Sequence, residues 1–328
     1  MDSELTDYDG DFEQHNPLEK KINITRKYVI ACVVFASLNN VLLGYDIGVM
    51  SGAIIFIKED LKISEFQEEF LVGVLSVISL IGSLFGGRAS DVIGRKWTMG
   101  LVSIVFRAGA ALMTLAPTFR VLMIGRILAG VGIGLGVMVA PIYIAEISPT
   151  VARGTLTSFP EIFINAGILL GYVSNNYAFF GLPSHTNRRI MLAVGILPSV
   201  FITFALCIIP ESPRWLVMKN RIEEARSVLL KTNDDESEIE ERLAEMQSDF
   251  GASDGEEVLW RELLSPSLAL RIMLITGFGI QCCQQITGID ATVYYSPDIF
   301  KAAGLDGNSK VFATTVAEGV TKIVFVDL

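Results

Sequence analysis

Residues 28–57 read YVIACVVFASLNNVLLGYDIGVMSGAIIFI, a run of thirty residues in which Asp46 is the only charged side chain. An α-helix rises about 1.5 Å per residue, so about 20 apolar residues are enough to cross the hydrocarbon core of a bilayer. A run of this length is typical of a transmembrane helix rather than of a soluble domain. It therefore predicts a first membrane span directly after a polar tail.

Similar runs recur along the chain, which is 51% hydrophobic and only 19% charged over 328 residues. Ordinary soluble domains carry more charge than this, so the excess apolar content predicts an all-α transmembrane protein. We expect six spans, a long polar stretch, a seventh span and part of an eighth. The later spans are predicted at residues 70–90, 97–116, 121–147, 158–180, 190–209 and 272–300, with the partial one beginning near Val311.

The same composition argues against several classes of protein. The formal net charge of −10 does not indicate nucleic-acid binding, which needs a concentrated basic face. The four cysteines lie in or beside apolar runs without the spacing of zinc ligands, and the two histidines lie in a tail and a loop. We therefore predict no enzymatic activity, no cofactor and no metal site, and expect the lipid bilayer and a small solute as partners.

Basic residues predict the orientation of the spans, because cytoplasmic loops are enriched in lysine and arginine. With a cytoplasmic N-terminus, the inner side collects sixteen basic residues and the outer side seven. We therefore expect the N-terminus in the cytoplasm and predict four regions. They are a tail at 1–27, a six-helix bundle at 28–209, a cytoplasmic linker of amphipathic helices at 210–270 and an incomplete second bundle at 271–328.

Asp46 and Arg126 are predicted at similar depth in the membrane. Asp46 lies about 27 Å along the first span, and Arg126 lies a few residues into the inbound fourth span, which puts both in the outer half of the hydrocarbon core. A carboxylate that is either paired or protonated is the minimal part of a proton-coupled switch. The alternative is a permanent ion pair that only fixes helix packing.

Five strings of sequence, in order, resemble the sugar porters of the major facilitator superfamily. They are GYDIGVMSGA at 44–53, GRASDVIGRK at 87–96, PIYIAEISP at 141–149 followed by Arg153, PESPRW at 210–215, and QQITGID at 284–290 followed by YYSP at 294–297. The stretch SFPEIFINAG at 158–167 is most similar to plant polyol/monosaccharide proton symporters. The resemblance implies a helical bundle whose N-terminal six-helix half is complete and whose C-terminal half is cut off in the eighth helix.

The resemblance also implies functions for particular residues, in a transporter that works by alternating access. Asp46 is similar to the family's proton acceptor, with Arg126 as its partner. The cytoplasmic gate implied by the motifs comprises Gly87, Asp91, Arg95, Glu146, Arg153, Glu211 and Arg214. The substrate-binding residues implied by it are Glu161, Gln284, Gln285, Asp290, Tyr294 and Lys322.

Three of the substrate positions depart from the hexose porters, since Glu161, Asp290 and Lys322 replace amides there. Charged hydrogen bonds to hydroxyl groups are stronger than neutral ones, which favours a polyol. Our hypothesis is a buried network in which Lys322 pairs with Asp290 or Glu161. The competing interpretation pairs Lys322 with Glu318, one helical turn away.

The leading interpretation is a proton-coupled polyol or monosaccharide symporter of the plasma membrane, and two alternatives stay open. One is an inositol or hexose porter of the same family. The other is a non-transporting sensor or interaction protein that modulates full-length homologues, because we expect a chain ending inside the eighth helix not to transport by itself. Arg107 and Arg188 depart from the family pattern, and their function is left open at this point.

Overall fold

The computed structural model describes residues 17–177, 183–233, 236–251, 266–305 and 308–326. Within these ranges the chain forms fourteen α-helices and no strand, so the prediction of an all-α protein is confirmed. Residues 1–16 of the predicted tail, 178–180 of the fifth span and 252–265 of the linker lie outside the described residues.

The helices follow one another with short connections. The first four spans are α1 (Pro17–Leu61), α2 (Glu65–Ile93), α3 (Arg95–Leu115) and α4 (Phe119–Ile147). Next come α5 (Arg153–Leu156), α6 (Phe159–Tyr177), α7 (Ser184–Val194) and α8 (Ile196–Ala205). The linker forms α9 (Pro213–Met218), α10 (Ile222–Thr232) and α11 (Glu236–Gly251), and the remainder forms α12 (Leu268–Ile286), α13 (Ile289–Ala302) and α14 (Asn308–Val326).

Seven stretches of the described chain are long and apolar enough to cross a membrane, at 27–61, 65–93, 95–115, 119–147, 153–175, 185–205 and 268–302. They coincide with the seven complete spans predicted from the sequence. α14 forms a helix where the partial eighth span is predicted, but it does not reach the same hydropathy.

The sixth and seventh spans are each two helices, although the sequence predicts continuous ones. In the sixth, α7 ends at Val194 and α8 begins at Ile196. Pro198 has no N–H to bond to the carbonyl of Val194, four residues earlier, which explains the interruption. In the seventh, Gly288 has φ +69° between α12 and α13, a left-handed conformation that glycine adopts without strain.

Several helices begin at a serine that satisfies a free backbone N–H. The hydroxyls of Ser64, Ser212 and Ser267 accept from residues three positions later, at the starts of α2, α9 and α12. At Ser64 the backbone N–H also donates to the side-chain oxygen of Gln67 at 3.1 Å, which completes a capping box. These polar turns fix where the apolar helices start.

Glycines bring α1 and α6 into backbone contact. A Cβ built on Gly44 would overlap the Ile164 carbonyl oxygen of α6, and one on Gly167 would lie 2.5 Å from the Val41 oxygen of α1. Gly134 of α4 meets the backbone of α2 at Ser79 in the same way. Small residues on facing helices allow this approach in membranes, where van der Waals contact drives association.

The bundle has two ends, which we name after residues of α1. The Tyr28 end also holds the end of α2, the start of α3 and the end of α4, since Arg95 contacts Glu146 there. The Asp60 end holds the start of α7, because Arg188 bonds Asp60 at 3.1 Å. Consecutive spans therefore run in opposite directions, as expected for helices that cross a bilayer.

Apolar side chains cover much of the outer surface. Phe66, Leu84 and Phe85 on α2 are among the exposed large hydrophobic residues, as are Ile275 and Phe278 on α12. None of the described residues of α12 is buried. Exposed apolar surface of this extent requires an apolar environment, so the structure agrees with the predicted membrane location.

The linker helices have a small core of their own. Trp215, Leu229 and Leu243 are among the buried residues that join α9, α10 and α11, so each described helix of this stretch has one buried apolar face. Arg242 of α11 attaches this core to α4, donating to the Ser148 carbonyl at 3.3 Å. Ser148 is the C-cap of α4, where a cation is favoured by the free carbonyls and the helix dipole.

Replacing Gly44 with alanine tests the close approach of α1 and α6. The added methyl group meets the Ile164 backbone, so we expect destabilisation of about 1–3 kcal/mol and a melting temperature lower by about 5 °C. Thermal unfolding of the purified chain in detergent measures the change. Gly73→Ala is the control, since its Cβ meets nothing within 4 Å. Equal melting temperatures for both variants would contradict the packing described above.

Replacing Arg242 with alanine tests how the linker is attached. Arg242 is buried and bonds Asn233 at the end of α10 and Ser148 at the end of α4. Its removal therefore takes away one charged bond at each of these helix ends, worth about 1.5–3 kcal/mol each. We expect faster amide hydrogen exchange in α11 with little change in α1–α4. Arg226→Ala is the matched control, because Arg226 forms an exposed pair with Glu240, worth under about 1 kcal/mol.

Candidate functional site

A buried ion pair joins α1 to α4. The Arg126 Nη1 donates to Asp46 Oδ2 at 2.5 Å, and the two side chains are 0% and 2% exposed. Arg126 Nε also donates to the Leu71 carbonyl of α2 at 3.2 Å. The predicted meeting of Asp46 and Arg126 is thus found in the structure, and it includes a third helix that the sequence did not indicate.

The pair leaves Arg126 with an unused donor. Its Nη2 is buried and has no hydrogen-bond partner among the residues that the structure describes. Tyr294 of α13 lies close enough to interact electrostatically with both Arg126 and Asp46. The pair therefore faces the seventh span, where a change in the charge of Asp46 alters the surroundings of Tyr294.

A second charged cluster lies at the Tyr28 end, and its centre is Arg95. Arg95 forms two bonds to the Glu146 carboxylate, at 3.1 and 3.2 Å, and one to Asp91 at 2.8 Å. It also donates to the Ser90 carbonyl at 3.1 Å. A guanidinium suits this cluster because its donors form a rigid fork that matches a carboxylate. The cluster ties α2, α3 and α4 together.

The start of α9 is bound into the same cluster. Ser212 donates to Glu146 at 2.5 Å, while Glu211 accepts from the backbone N–H groups of Lys96 and Ser212, each at 3.0 Å. Trp215 Nε1 donates to the Asp91 carbonyl at 3.0 Å. The PESPRW stretch at 210–215 is thereby bound to the turn between α2 and α3 at the Tyr28 end.

Glu211 is packed against the turn between α2 and α3. Gly94 has φ +106°, and any Cβ there would collide with the Glu211 carboxylate. Burial raises the pKa of Glu211 above its ordinary value of 4.5, against the lowering effect of its backbone hydrogen bonds and of Arg95. Its Oε2 has no hydrogen-bond partner among the described residues.

The other predicted gate residues lie nearby in different settings. A Cβ added to Gly87 would lie 3.5 Å from the methyl carbon of Met138 on α4. Arg153 begins α5 and lies close enough to Arg242 to interact with it, while Arg214 is exposed on α9. The sequence analysis did not identify Arg242 or Ser212, because their partners are set by how the linker folds back on α4.

The predicted substrate residues are spread over four helices. Gln285 Nε2 donates to Asp290 Oδ2 at 3.0 Å across the break between α12 and α13, and both side chains are exposed, as is Gln284. Glu161 is exposed in the first turn of α6. Their assignment to substrate stays a prediction.

Lys322 lies with Glu318 rather than with the two other predicted charges. Lys322 and Glu318 line one cavity and interact electrostatically. Among the described residues that line this cavity, neither Glu161 nor Asp290 occurs. The hypothesis that Lys322 joins Asp290 or Glu161 is therefore not supported by the geometry, and the charged residue that shares this cavity with Lys322 is Glu318.

Both arginines that depart from the family pattern have partners. Arg107 of α3 bonds the Ser199 carbonyl at 2.8 Å and the Thr203 hydroxyl at 2.6 Å on α8. Arg188 bonds Asp60 and the Ala116 carbonyl at the end of α3. The serine and threonine at 199 and 203 are one turn apart, a signal that could have indicated the partner of Arg107.

Comparisons with known proteins agree with this arrangement. The family described as "Sugar (and other) transporter" matches residues 31–326. Two Arabidopsis thaliana relatives, "Probable polyol transporter 4" and "Polyol transporter 5", are 68% and 49% identical over 97% and 91% of this chain and 61% and 58% of their own lengths. These relatives are transporters, not enzymes.

Solved structures share the fold. The structure of XylE, described as a proton:xylose symporter of the major facilitator superfamily, superposes with a TM-score of 0.77 at 26% identity, covering 92% of this chain and 68% of XylE. A partially occluded inward-open form of Escherichia coli XylE gives a TM-score of 0.75.

The chain spans about three fifths of the length of the curated relatives it matches. Its membrane-spanning helices, the Asp46–Arg126 pair and the Arg95 cluster occur within the part that the family profile covers. The profile match extends over most of the chain, and the helical bundle agrees with that of a solved member. The protein therefore belongs to the sugar transporter family of the major facilitator superfamily, as a multi-pass integral membrane protein.

Proposed function

We propose that the protein acts in proton-coupled transport of a polyol or monosaccharide by alternating access. The observation that carries this proposal is the fully buried Asp46–Arg126 pair. A buried carboxylate can remain charged while a guanidinium neutralises it, or it can take a proton and release the guanidinium. Proton binding at Asp46 therefore has a direct structural consequence for α1 and α4.

Polyols are the substrate class that the relatives favour. The two Arabidopsis proteins are named as polyol transporters, and XylE is described as a proton:xylose symporter. A linear polyol offers a hydroxyl on each carbon, which suits the amide and charged side chains predicted to bind substrate. An inositol or hexose porter, or a non-transporting interaction protein, receives less support from these relatives.

The Arg95 cluster is proposed as the gate at the Tyr28 end. It joins α2, α3, α4 and α9 through Arg95, Glu146 and Ser212, and these bonds have to break if the helix ends separate. We propose that this end lies in the cytoplasm, and the excess of basic residues on this side supports that orientation. We further propose the plasma membrane as the location.

Replacing Asp46 with asparagine tests the coupling. The assay uses a chimera in which this chain replaces the matched segment of Arabidopsis polyol transporter 4, so that the chain's own residues are examined at full length. We expect polyol uptake to lose its dependence on an inward proton gradient, because asparagine cannot exchange a proton. Uptake in proteoliposomes, with and without a pH gradient, measures this.

Glu69→Gln is the control for this substitution, since Glu69 is an exposed carboxylate on α2. The control should retain gradient-driven uptake. Gradient-driven polyol uptake by the Asp46→Asn chimera at the rate of the control would refute the assignment of Asp46. Absence of polyol uptake from the unsubstituted chimera would overturn the proposed function itself.

Glu211 predicts a dependence of stability on pH. Because burial raises its pKa in the folded state, the folded protein binds a proton that the unfolded chain has already lost. The free energy of unfolding therefore decreases as pH rises from about 4.5 through the raised pKa. We expect Glu211→Gln to reduce this decrease, measured as melting temperature against pH. Glu224→Gln is the control, because Glu224 forms an exposed pair with Arg221, and it should leave the dependence of melting temperature on pH unchanged. If Glu211→Gln had the same dependence on pH as the unsubstituted protein, the prediction would be wrong.

A further inference from the structure

A cavity of about 520 Å³ lies between α13 and α14. Its polar lining consists of three threonines and two charged side chains, Thr287, Thr292, Thr321, Glu318 and Lys322. The resemblance to sugar porters assigns Lys322 to substrate, but it gives no function to Glu318. A carboxylate inside a membrane-embedded bundle is costly and usually functional.

Glu318 is held in place from several sides. It lies within reach of the Ser296 hydroxyl of α13 and of Lys322, which is one helical turn further along α14. Gly319 lets α14 approach the Tyr172 ring of α6, since an added Cβ would lie 3.1 Å from it. Tyr172 in turn donates to the Val293 carbonyl at 3.0 Å. The carboxylate is therefore positioned by α6, α13 and α14.

The Glu318 carboxylate lines the cavity and is incompletely satisfied by the protein. The residue is among those lining the cavity, and its Oε2 is buried without a hydrogen-bond partner among the described residues. A carboxylate that lacks donors is unfavourable in such surroundings. A hydroxyl that enters the cavity can donate to this carboxylate from the cavity side.

We propose that Glu318 and Lys322 form a two-point site for adjacent hydroxyl groups of a polyol, a site that rests on the proposed transport function. One hydroxyl donates to the Glu318 carboxylate, and its neighbour accepts from the Lys322 ammonium. The three threonine hydroxyls already donate to the carbonyls of Gln284, Gly288 and Ala317, so they serve as acceptors for the remaining hydroxyl groups. Glu318 is thereby a specificity-determining residue.

The opposite charges of the two residues explain why a neutral polyol fits better than other solutes. A hydroxyl group both donates and accepts, so two neighbouring hydroxyls satisfy a carboxylate and an ammonium together. A sugar acid would be repelled by Glu318, and an amino sugar by Lys322. A polyol that lacks one of the two hydroxyls leaves one charge without its partner, which gives strong discrimination.

Glu318→Gln in the chimera tests the site, with uptake of a linear six-carbon polyol and of its monodeoxy analogues. We expect KM for the polyol to rise by about tenfold to a hundredfold. We also expect the preference for the polyol over the deoxy analogues to decrease by a similar factor. Asp298→Asn, an exposed carboxylate on α13, is the control and should change neither value.

A double variant, Glu318→Gln with Lys322→Gln, separates binding from a merely structural ion pair. If the two charges only neutralise each other, removing both restores KM and melting temperature toward those of the unsubstituted chimera, and the proposal is overturned. If both bind substrate, the double variant has a KM at least as high as either single variant. An unchanged KM in Glu318→Gln would also overturn the site while leaving polyol transport intact.

Direct binding keeps this test independent of transport. The shift in melting temperature on adding the polyol to the purified chimera reports binding even if uptake fails. A shift that Glu318→Gln abolishes and Asp298→Asn retains supports the site. A shift that persists in Glu318→Gln, or no shift with any polyol in the unsubstituted chimera, overturns it.

Discussion

The buried contact between Arg126 and Asp46 constrains the rest of the bundle. Both side chains are almost completely removed from solvent, and an unpaired charge in such surroundings would destabilise the fold by several kcal/mol. α1 and α4 therefore have to pack in the register that brings the two residues together. The bond from Arg126 to the Leu71 carbonyl adds α2 to the same register. The glycine contact between α4 and α2 lies between helices that these bonds already hold close, whereas the approach of α6 to α1 depends on the glycines of those two helices.

Other arginines of the chain also donate to backbone carbonyls, as Arg126 does. Each of five arginines donates to a backbone carbonyl on another turn or helix: Arg95 to Ser90, Arg107 to Ser199, Arg126 to Leu71, Arg188 to Ala116 and Arg242 to Ser148. Arginine has five donors and keeps its charge, so one side chain can bind a carboxylate and a carbonyl together. Arginines therefore join helices at both ends of the bundle and in its middle.

The spans and the Asp46–Arg126 pair could be predicted from sequence because they depend on local hydropathy and on depth along a helix. Glu146 and Arg95 could be predicted as neighbours because each occupies a fixed position in a family motif. The break at Gly195 was missed although Pro198 is a local signal for it. The partners of Arg107 and Arg188 were missed because they depend on which helices become neighbours. Lys322 shows the limit most clearly. The favoured partners, Asp290 and Glu161, were chosen by residue type, whereas the competing partner Glu318 follows from the single turn of α14 that separates it from Lys322, and Glu318 is the neighbour found.

α4 contributes Arg126 to the ion pair with Asp46 and Glu146 to the Arg95 cluster, and its sequence indicates where the helix can bend between them. Arg126 and Glu146 are twenty residues apart, about 30 Å along a straight helix, and glycines fill much of the first part of this distance. Pro141 lies inside the helix between them, and it cannot bond to the carbonyl of Val137. The helix is therefore weakest just before Glu146. Under the proposed function, release of Arg126 by a protonated Asp46 frees the first part of α4 from α1, while the Arg95 cluster still holds the last part at the Tyr28 end. Bending at Pro141 then lets the first part move without breaking the Arg95 cluster, so that proton binding and gate opening are successive steps on one helix.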